Sequence, residues 1–595
     1  MTESVRSHRR RSRSRRRRRA RLRRVLLAGL VVGSLLLVTG GWVGFRGWQA
    51  RAHLLNAAGL ARELSAQVVG GDTERAQRTL AALQDQAGAA RGATDDPGWW
   101  IGRRAPLAGD NLGAVRQIAV AVDDLARQAF PTLLRADLTS LVPTEGRLDV
   151  GRLRSVSAEL STANEAVQQT RRDLAAVSGD GLVSQVRQAL TDLRGEIDRL
   201  AGLTSAADQG ARLLPALLGA NGARRYLLVS QNLAELRATG GMFGAYAVIE
   251  AEGGRVRMGR QDSSASLGQF TPPLPLTKEV RRLWTDLPGI YPADVNLTPH
   301  FPTAAALYRE MFRRKTGTKV DGVLAVDPVV LSYLLKATGP VLVPGAVPLA
   351  SDTAVRTLLN ETYQRLGNKQ QDEYFAASAA AVFDTFFKKN VNPRVLLSGF
   401  DRAITERRIL FWSAHPEEQR TVGDSRMAGT LPEQDTVPTV GVFLNDGSGA
   451  KLGYYLRPAA TLAVGECRSD GRRELRLRVT LRSTAPKSGL SKSVLGLGLA
   501  GDPYTVRTLV SVFSPAGGAV VDARLDGAEA AMGSGTERGR QVATANVEVG
   551  PGASRDLEVT VLTGKKTGTG KAELWLTPTA TPWTTQVDTA PSCDQ

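Results

Sequence analysis

RRYLLVSQNLAELRATGGMFGAYAVIEAEGGRVRMGRQDS, residues 224–263, decides what kind of fold this chain adopts. Its first part, RRYLLVSQN, packs Tyr226, Leu227, Leu228 and Val229 side by side. A run that is apolar at every position and too short for a helix marks a strand covered on both faces. MFGAYAVIEAEGGRVRMGRQDS then reads as two strands joined by a turn at Glu252-Gly253-Gly254. Downstream, FPTAAALYREMFRRKTG (301–317) repeats apolar residues at helical spacing and ends on Gly317, a residue free to take the left-handed cap conformation. VDGVLAVD (320–327) is a further strand. PVVLSYLLKATG (328–339) is a helix with Pro328 in its first turn, and PVLVPG (340–345) reads as a strand and turn. Helices alternating with strands of a mixed sheet predict an α/β domain over residues 210–435.

Outward from this domain the texture differs on each side. After residue 436 come TVGVFLND, LGYYLRP, ELRLRVTLRST, YTVRTLVSVFS, QVATANVEVG and RDLEVTVLTG, alternating and separated by Gly, Pro, Asp and Ser. That pattern predicts a β-sandwich of immunoglobulin-like architecture over 436–595. Before residue 210, the segment 46–209 is rich in Ala, Leu, Gln and Arg with three- and four-residue apolar spacing. It predicts a helical stalk or bundle whose simplest role is as a spacer or self-association module.

The first 24 residues hold thirteen arginines, and 25–45, VLLAGLVVGSLLLVTGGWVGF, has no charge. About 20 apolar residues span a bilayer as one helix, and an arginine-rich flank stays on the cytoplasmic side. The expectation is a basic cytoplasmic tail (1–24) beside anionic lipid, a single transmembrane helix (25–45), and everything beyond it outside the cytoplasm. A cleaved signal peptide would carry a shorter apolar core, of about 7–15 residues. Trp42 and Trp48 fall at the expected outer interface, where amphipathic rings favour the headgroup level. The whole is an α+β multidomain chain.

Composition removes other classes. The formal net charge is +19, but the first 24 residues supply +12 of it, leaving +7 for the rest, too dilute for a nucleic-acid surface. His8, His53, His300 and His415 lack metal-ligand spacing, and no phosphate-loop or dinucleotide fingerprint occurs. The two cysteines, Cys467 and Cys593, lie on the side expected to be oxidising. They are either a bridge that closes a long loop or two unrelated thiols.

The densest group of polar residues is QNLAELRATGGMFGAY (231–246), followed by Arg260-Gln261-Asp262-Ser263. If the strands carrying them are neighbours, Arg237 and Arg260 converge and match a pyrophosphate in two-point contact. Glu235 and Asp262 then supply oxygen ligands for Mg²⁺ bridging the same anion. The alternative is a set of structural salt bridges around a turn. His415, in FWSAHPEEQ, is either an acid-base residue or part of a capped loop. Asn445-Asp446-Gly447 is a hairpin-turn signal, with Lys451 and Tyr454-Tyr455 beyond it in the β-domain.

RYLLVSQNLAELRATGGMFGAYAVIEAEGGRVR (225–257) is one of several long motifs that together resemble the bacterial domain of unknown function 4012 family. The others are NLTPHFPTAAALYREMFRRKTGTKVDGVLAVDPVVLSYLLKATGPVLVPG (296–345), FWSAHPEEQ, FLNDGSGAKLGYY and PGWWIGRRAPLAGD (97–110). The resemblance implies a membrane-anchored, extracytoplasmic protein of the bacterial envelope and no particular activity. The motif order is also similar to the LytR-CpsA-Psr family, which transfers glycopolymers from polyprenyl-pyrophosphate carriers to the cell wall. GRQDS stands where that family has Pro-Arg-Asp, and DVNLTPHFPTAAALY matches its Asn-containing helix. This second resemblance implies a LytR-like α/β domain in which Arg237 and Arg260 grip pyrophosphate, Asp262 helps hold Mg²⁺ and Asp321 is architectural. Ala238-Thr239-Gly240-Gly241 replaces the family's Ser-Asp-Thr, and Gln261 separates Arg260 from Asp262. Two functions follow as expectations: a binding or scaffolding protein in cell-wall or surface-polysaccharide assembly, or a Mg²⁺-dependent phosphotransferase acting on a lipid-pyrophosphate-linked glycopolymer.

Overall fold

The computed structural model describes residues 37–64, 72–106, 108–135, 146–388, 391–565 and 570–590, with isolated positions 30, 34, 67 and 143. The chain divides into two compact units, Met1–Asp137 with Ser155–Ala211, and Leu138–Arg154 with Arg212–Gln595.

The first unit is helical: α1 (37–64), α2 (Thr73–Ala93), α3 (Gly109–Asp124), and most of α4 (Val150–Ala175) and α5 (Ser184–Leu217). Alanines at the contacts let the helices approach closely. Ala57, Ala76, Ala87 and Ala126 are fully buried around Leu64 and Leu83. Ile118, Leu125, Val167, Leu174, Leu190 and Ile197 make a second core. Asp123 is buried between Arg127 at 2.7 Å and Arg91 at 3.1 Å. Among the described residues no helix is long and apolar enough to cross a membrane. Ten of the 21 residues of the expected span 25–45 lie outside the described residues, as does the basic tail.

The second unit holds a five-stranded sheet in the order β3-β2-β1-β4-β5. The strands are β1 (Arg224–Arg237), β2 (Gly240–Glu252), β3 (Arg255–Ser263), β4 (Gly322–Val326) and β5 (Leu410–Ser413). Only β1 and β4 run parallel, Tyr226 opposite Gly322 through Ser230 opposite Val326. The continuous apolar run has the expected cause. Leu227 and Val229 face α6 (Phe301–Thr316) through Phe301, Tyr308 and Phe312. Tyr226 faces the opposite side, with Leu213 and Phe411. Gly317 takes φ 74° and donates its N–H to Arg313 O, closing α6 as expected. On the far side lie α7 (Pro328–Thr338) and α8 (Pro393–Thr405), packing Val330 and Tyr333 against Ala403. PVLVPG is not a strand of this sheet, and Val341 makes only an isolated bridge to Leu349.

The same unit contains the two-sheet sandwich. One sheet is built on β6 (Thr439–Asp446), flanked by Val506–Phe513 and Glu573–Leu576; the other on β7 (Leu456–Cys467) and β8 (Arg473–Ser483). Alternation in β8 sends Leu475, Leu477, Val479 and Leu481 inward and leaves Arg476, Arg478 and Arg482 outside. Glu573–Leu576 and Thr584–Val587 each add a parallel edge strand, one to each sheet. Parallel partners lie far apart in sequence, so no turn signal announces them. Residues 138–154, expected in the stalk, belong to this unit, where Leu148, Leu153 and Leu218 pack together beside Val256. Cys467 is disulfide-bonded; its expected partner Cys593 lies outside the described residues.

Candidate functional site

The apolar pattern RRYLLVSQN predicts a first strand that ends near Asn232. In the structure β1 continues to Arg237, and Gln231 through Thr239 are buried without interruption. Buried backbone and side-chain polar groups are costly without partners, and most of those here have one, Arg237 Nε and Asn296 Oδ1 being exceptions. That cost explains why this stretch is so rich in amides and charges. Asn232 accepts from Ala234 N–H through Oδ1 and donates through Nδ2 to Tyr363 Oη at 2.9 Å. Gln231 donates to Thr239 Oγ1 at 3.0 Å, and Asn296 donates to both Thr239 Oγ1 and Gly241 O at 2.8 Å. Gly241 is obligatory for a steric reason: a Cβ there would sit 2.2 Å from the Asn232 backbone.

Charge is concentrated at the strand end. The Arg237 guanidinium donates to Asp294 Oδ1 at 2.9 Å, Glu235 Oε1 at 3.2 Å and Leu236 O at 2.9 Å. Lys451 lies 3.9 Å from the other Glu235 oxygen and over the Tyr363 ring. Burial disfavours the Arg237 charge, and Glu235, Asp294 and Asp446 more than restore it, so its pKa lies above the ordinary value. Burial first and the Glu235 charge second push the Asp446 carboxyl up to about 6, although Ser448 and Arg237 pull the other way. Asp446 also accepts from Ser448 Oγ at 2.6 Å and Gly449 N–H at 2.7 Å. Asn445 accepts from Ala238 N–H and donates to Leu297 O, pinning the turn after β1 to β6. Asn445-Asp446-Gly447 is therefore no hairpin turn, and with Lys451 it completes this cluster.

The Asp446 shift has a measurable sign. Its folded pKa exceeds that of an unfolded aspartate, about 3.9. The native state thus holds the proton more tightly, and that stabilisation is complete below about pH 4 and is lost as pH rises through the folded value. Asp446→Asn removes the dependence. Denaturation at pH 4 and pH 7.5 should show the variant gaining on the wild type by on the order of 1–3 kcal/mol as pH rises. A stability difference that stays flat between the two pH values refutes the assignment.

Arg260 and Asp262 are elsewhere. Arg237 pairs with Gly240 at the β1–β2 turn, whereas Asp262 pairs with Tyr246, six residues farther along β2. At about 3.3 Å per strand residue the two places are roughly 17–20 Å apart. Arg260 is exposed and bonds its neighbour Asp262 at 3.1 Å. Burial raises the Asp262 pKa, and bonds from Arg260, Ser266 and Ser263 N–H outweigh it and leave the carboxyl below its ordinary value. The two arginines do not converge on one anion, nor do Glu235 and Asp262 converge on one cation. Among the described residues no group of three or more His, Cys, Asp or Glu is placed to hold a metal. The expected Mg²⁺ does not fit these residues.

A second polar group lies at the opposite end of the sheet. Asp321, just before β4, accepts from Arg225 N–H at 2.9 Å and meets His415 Nε2 at 2.9 Å. Arg224 lies between His415 and Glu418, reaching Glu418 at 3.1 Å. Ser413 spends its hydroxyl proton on Glu418 Oε2 at 2.6 Å, so it is not aimed at the His415 ring as a nucleophile. The arrangement ties β1, β4 and β5 together. The sequence singled out His415 alone, and nothing in the chain order points to Glu418, Asp321 or Arg224 as its partners.

No curated protein and no solved structure matches the chain. Residues 221–363, running from just before β1 through Tyr363 and including Arg237 and Asp294, match the family model described as Protein of unknown function (DUF4012), so the chain carries a segment of the DUF4012 family.

Proposed function

We propose that this chain is a single-pass, membrane-anchored, extracytoplasmic envelope protein that binds or scaffolds a cell-wall or surface polysaccharide and does not turn it over. The observation that carries the non-catalytic half is the state of Arg237, buried and engaged by Glu235, Asp294 and its own chain. Both terminal nitrogens of the guanidinium are already engaged and only the buried Nε lacks a hydrogen-bond partner, so no two-point fork is left for an incoming pyrophosphate. The arginine block followed by an uncharged run supports the topology. Motif order similar to the LytR-CpsA-Psr family suggests a glycopolymer as the bound partner, through a LytR-like α/β domain.

The test uses the full chain in lipid nanodiscs. It should co-sediment with purified cell-wall sacculi and release no phosphate from a prenyl pyrophosphate with Mg²⁺. Failure to sediment removes the polysaccharide partner. Sustained phosphate release would instead establish the phosphotransferase. A reporter fused after residue 595 that works only in the cytosol would end the envelope assignment.

A further inference from the structure

We propose that the loop following α2 forms a second membrane contact: Trp100 and Ile101, with Trp42, Phe45 and Trp48 of α1, make a foot seated in the headgroup layer of an anionic bilayer. The inference rests on the anchored topology proposed above and adds to it a site outside the anchor.

The foot is built from one buried residue and its neighbours. Asp96 accepts Trp99 N–H at 2.8 Å and so caps the short helix Pro97–Gly102. The same carboxylate takes Arg46 Nε at 2.7 Å and Trp42 Nε1 at 3.0 Å from α1. Burial alone would raise the Asp96 pKa, but bonds from Trp99 N–H, Arg46 and Trp42 bring it below the ordinary value. The Trp99 ring is buried and donates to Leu112 O at 3.1 Å. With Trp99 turned inward, the helical geometry turns Trp100 and Ile101 outward, leaving them 58% and 54% exposed. Trp48 is 65% exposed, and the Trp42, Phe45 and Trp48 rings follow one another at 6.3 and 6.2 Å.

Five large apolar side chains exposed together mark a contact surface. The occupant is a bilayer for two reasons. First, the loop is pinned to residues 42 and 46, the end of the uncharged run 25–45, so both elements share one level along α1. Tryptophan favours that interfacial level. Second, the rim is basic: Arg103 and Arg104 are exposed, and Arg104 lies 3.5 Å above the Trp100 ring. Aromatic residues flanked by arginines match an interface with anionic headgroups, at about 1 kcal/mol per basic residue near the surface.

The experiment places a solvatochromic, dansyl-bearing residue at Ile101, or at exposed Gln77 as control, in the full chain. Each protein is reconstituted one per nanodisc in phosphatidylcholine with about 30% phosphatidylglycerol. The expected result is a blue-shifted probe at 101, quenched by shallow lipid nitroxides about two-fold or more above the probe at 77. Arg103→Ala with Arg104→Ala should reduce that quenching in anionic discs and leave it unchanged in neutral ones. Equal quenching at both positions, in a chain that resists carbonate extraction, overturns the foot and leaves the anchor standing. A chain released by carbonate overturns the anchor itself. A blue shift seen only with two chains per disc assigns the surface to a second copy and overturns the lipid assignment.

Discussion

Arg237→Leu should lower the unfolding free energy by about 3–5 kcal/mol, the range for removing one partner of a buried ion pair. The side chain is 7% exposed, and its loss strands Glu235 and Asp294 without their principal cation. Lys451, 3.9 Å from Glu235 and on the opposite side of it, compensates poorly. Leucine fills much of the volume, so the loss reports charge more than cavity. Adding Asp294→Leu should recover part of the stability, because the pair then disappears as a unit. Chemical denaturation followed by tryptophan fluorescence measures both. A variant as stable as the wild type that has instead lost affinity for inorganic pyrophosphate would return Arg237 to a ligand-binding role.

The second large effect is expected at Asp327. One oxygen of its carboxylate accepts Val329 and Val330 N–H at 2.8 and 3.0 Å, capping α7. The other meets Arg408 at 2.9 Å, where the two side chains are 2% and 4% exposed. Arg408 also donates to Thr579 O, linking α7 to the segment between the last two edge strands of the sandwich. Burial opposes the Arg408 charge, and Asp327 with Glu406 holds its pKa above the ordinary value. Asp327→Ala removes cap and countercharge together and should cost about 3–5 kcal/mol. Asp327→Asn keeps an N-cap acceptor and should lose less, the difference being of the order of one cap, about 1 kcal/mol. If the two variants unfold at the same denaturant concentration, the carboxylate acts only through Arg408.

Periodicity made much of the framework legible. The apolar run 226–229, the Gly253-Gly254 turn, the α6 spacing ending at Gly317 and the alternation of β8 all reappear as read. Each is a local pattern, set by how side chains repeat along one element. The edge strands Glu573–Leu576 and Thr584–Val587 were not legible, because their partners lie more than a hundred residues away. Residues 231–241 show the limit most clearly. Their composition marks them as unusual whether they hold a ligand or one another. Asp294 and Asn296 arrive from one distant segment, and Asp446 and Lys451 from another, with no motif in common.

By itself the amino-acid order determined where helix gives way to sheet, where a lipid-compatible stretch begins, and which residues are too polar to be ordinary core. These follow from composition and spacing within a dozen residues. Only tertiary packing decided what those polar residues do. It carried β1 into the seam beside β6 and set Arg237 among acids from distant segments. It also placed Arg260 on the exposed edge strand, out of reach. A charge's role depends on which neighbours share its low-dielectric surroundings, and that neighbourhood is made by the fold.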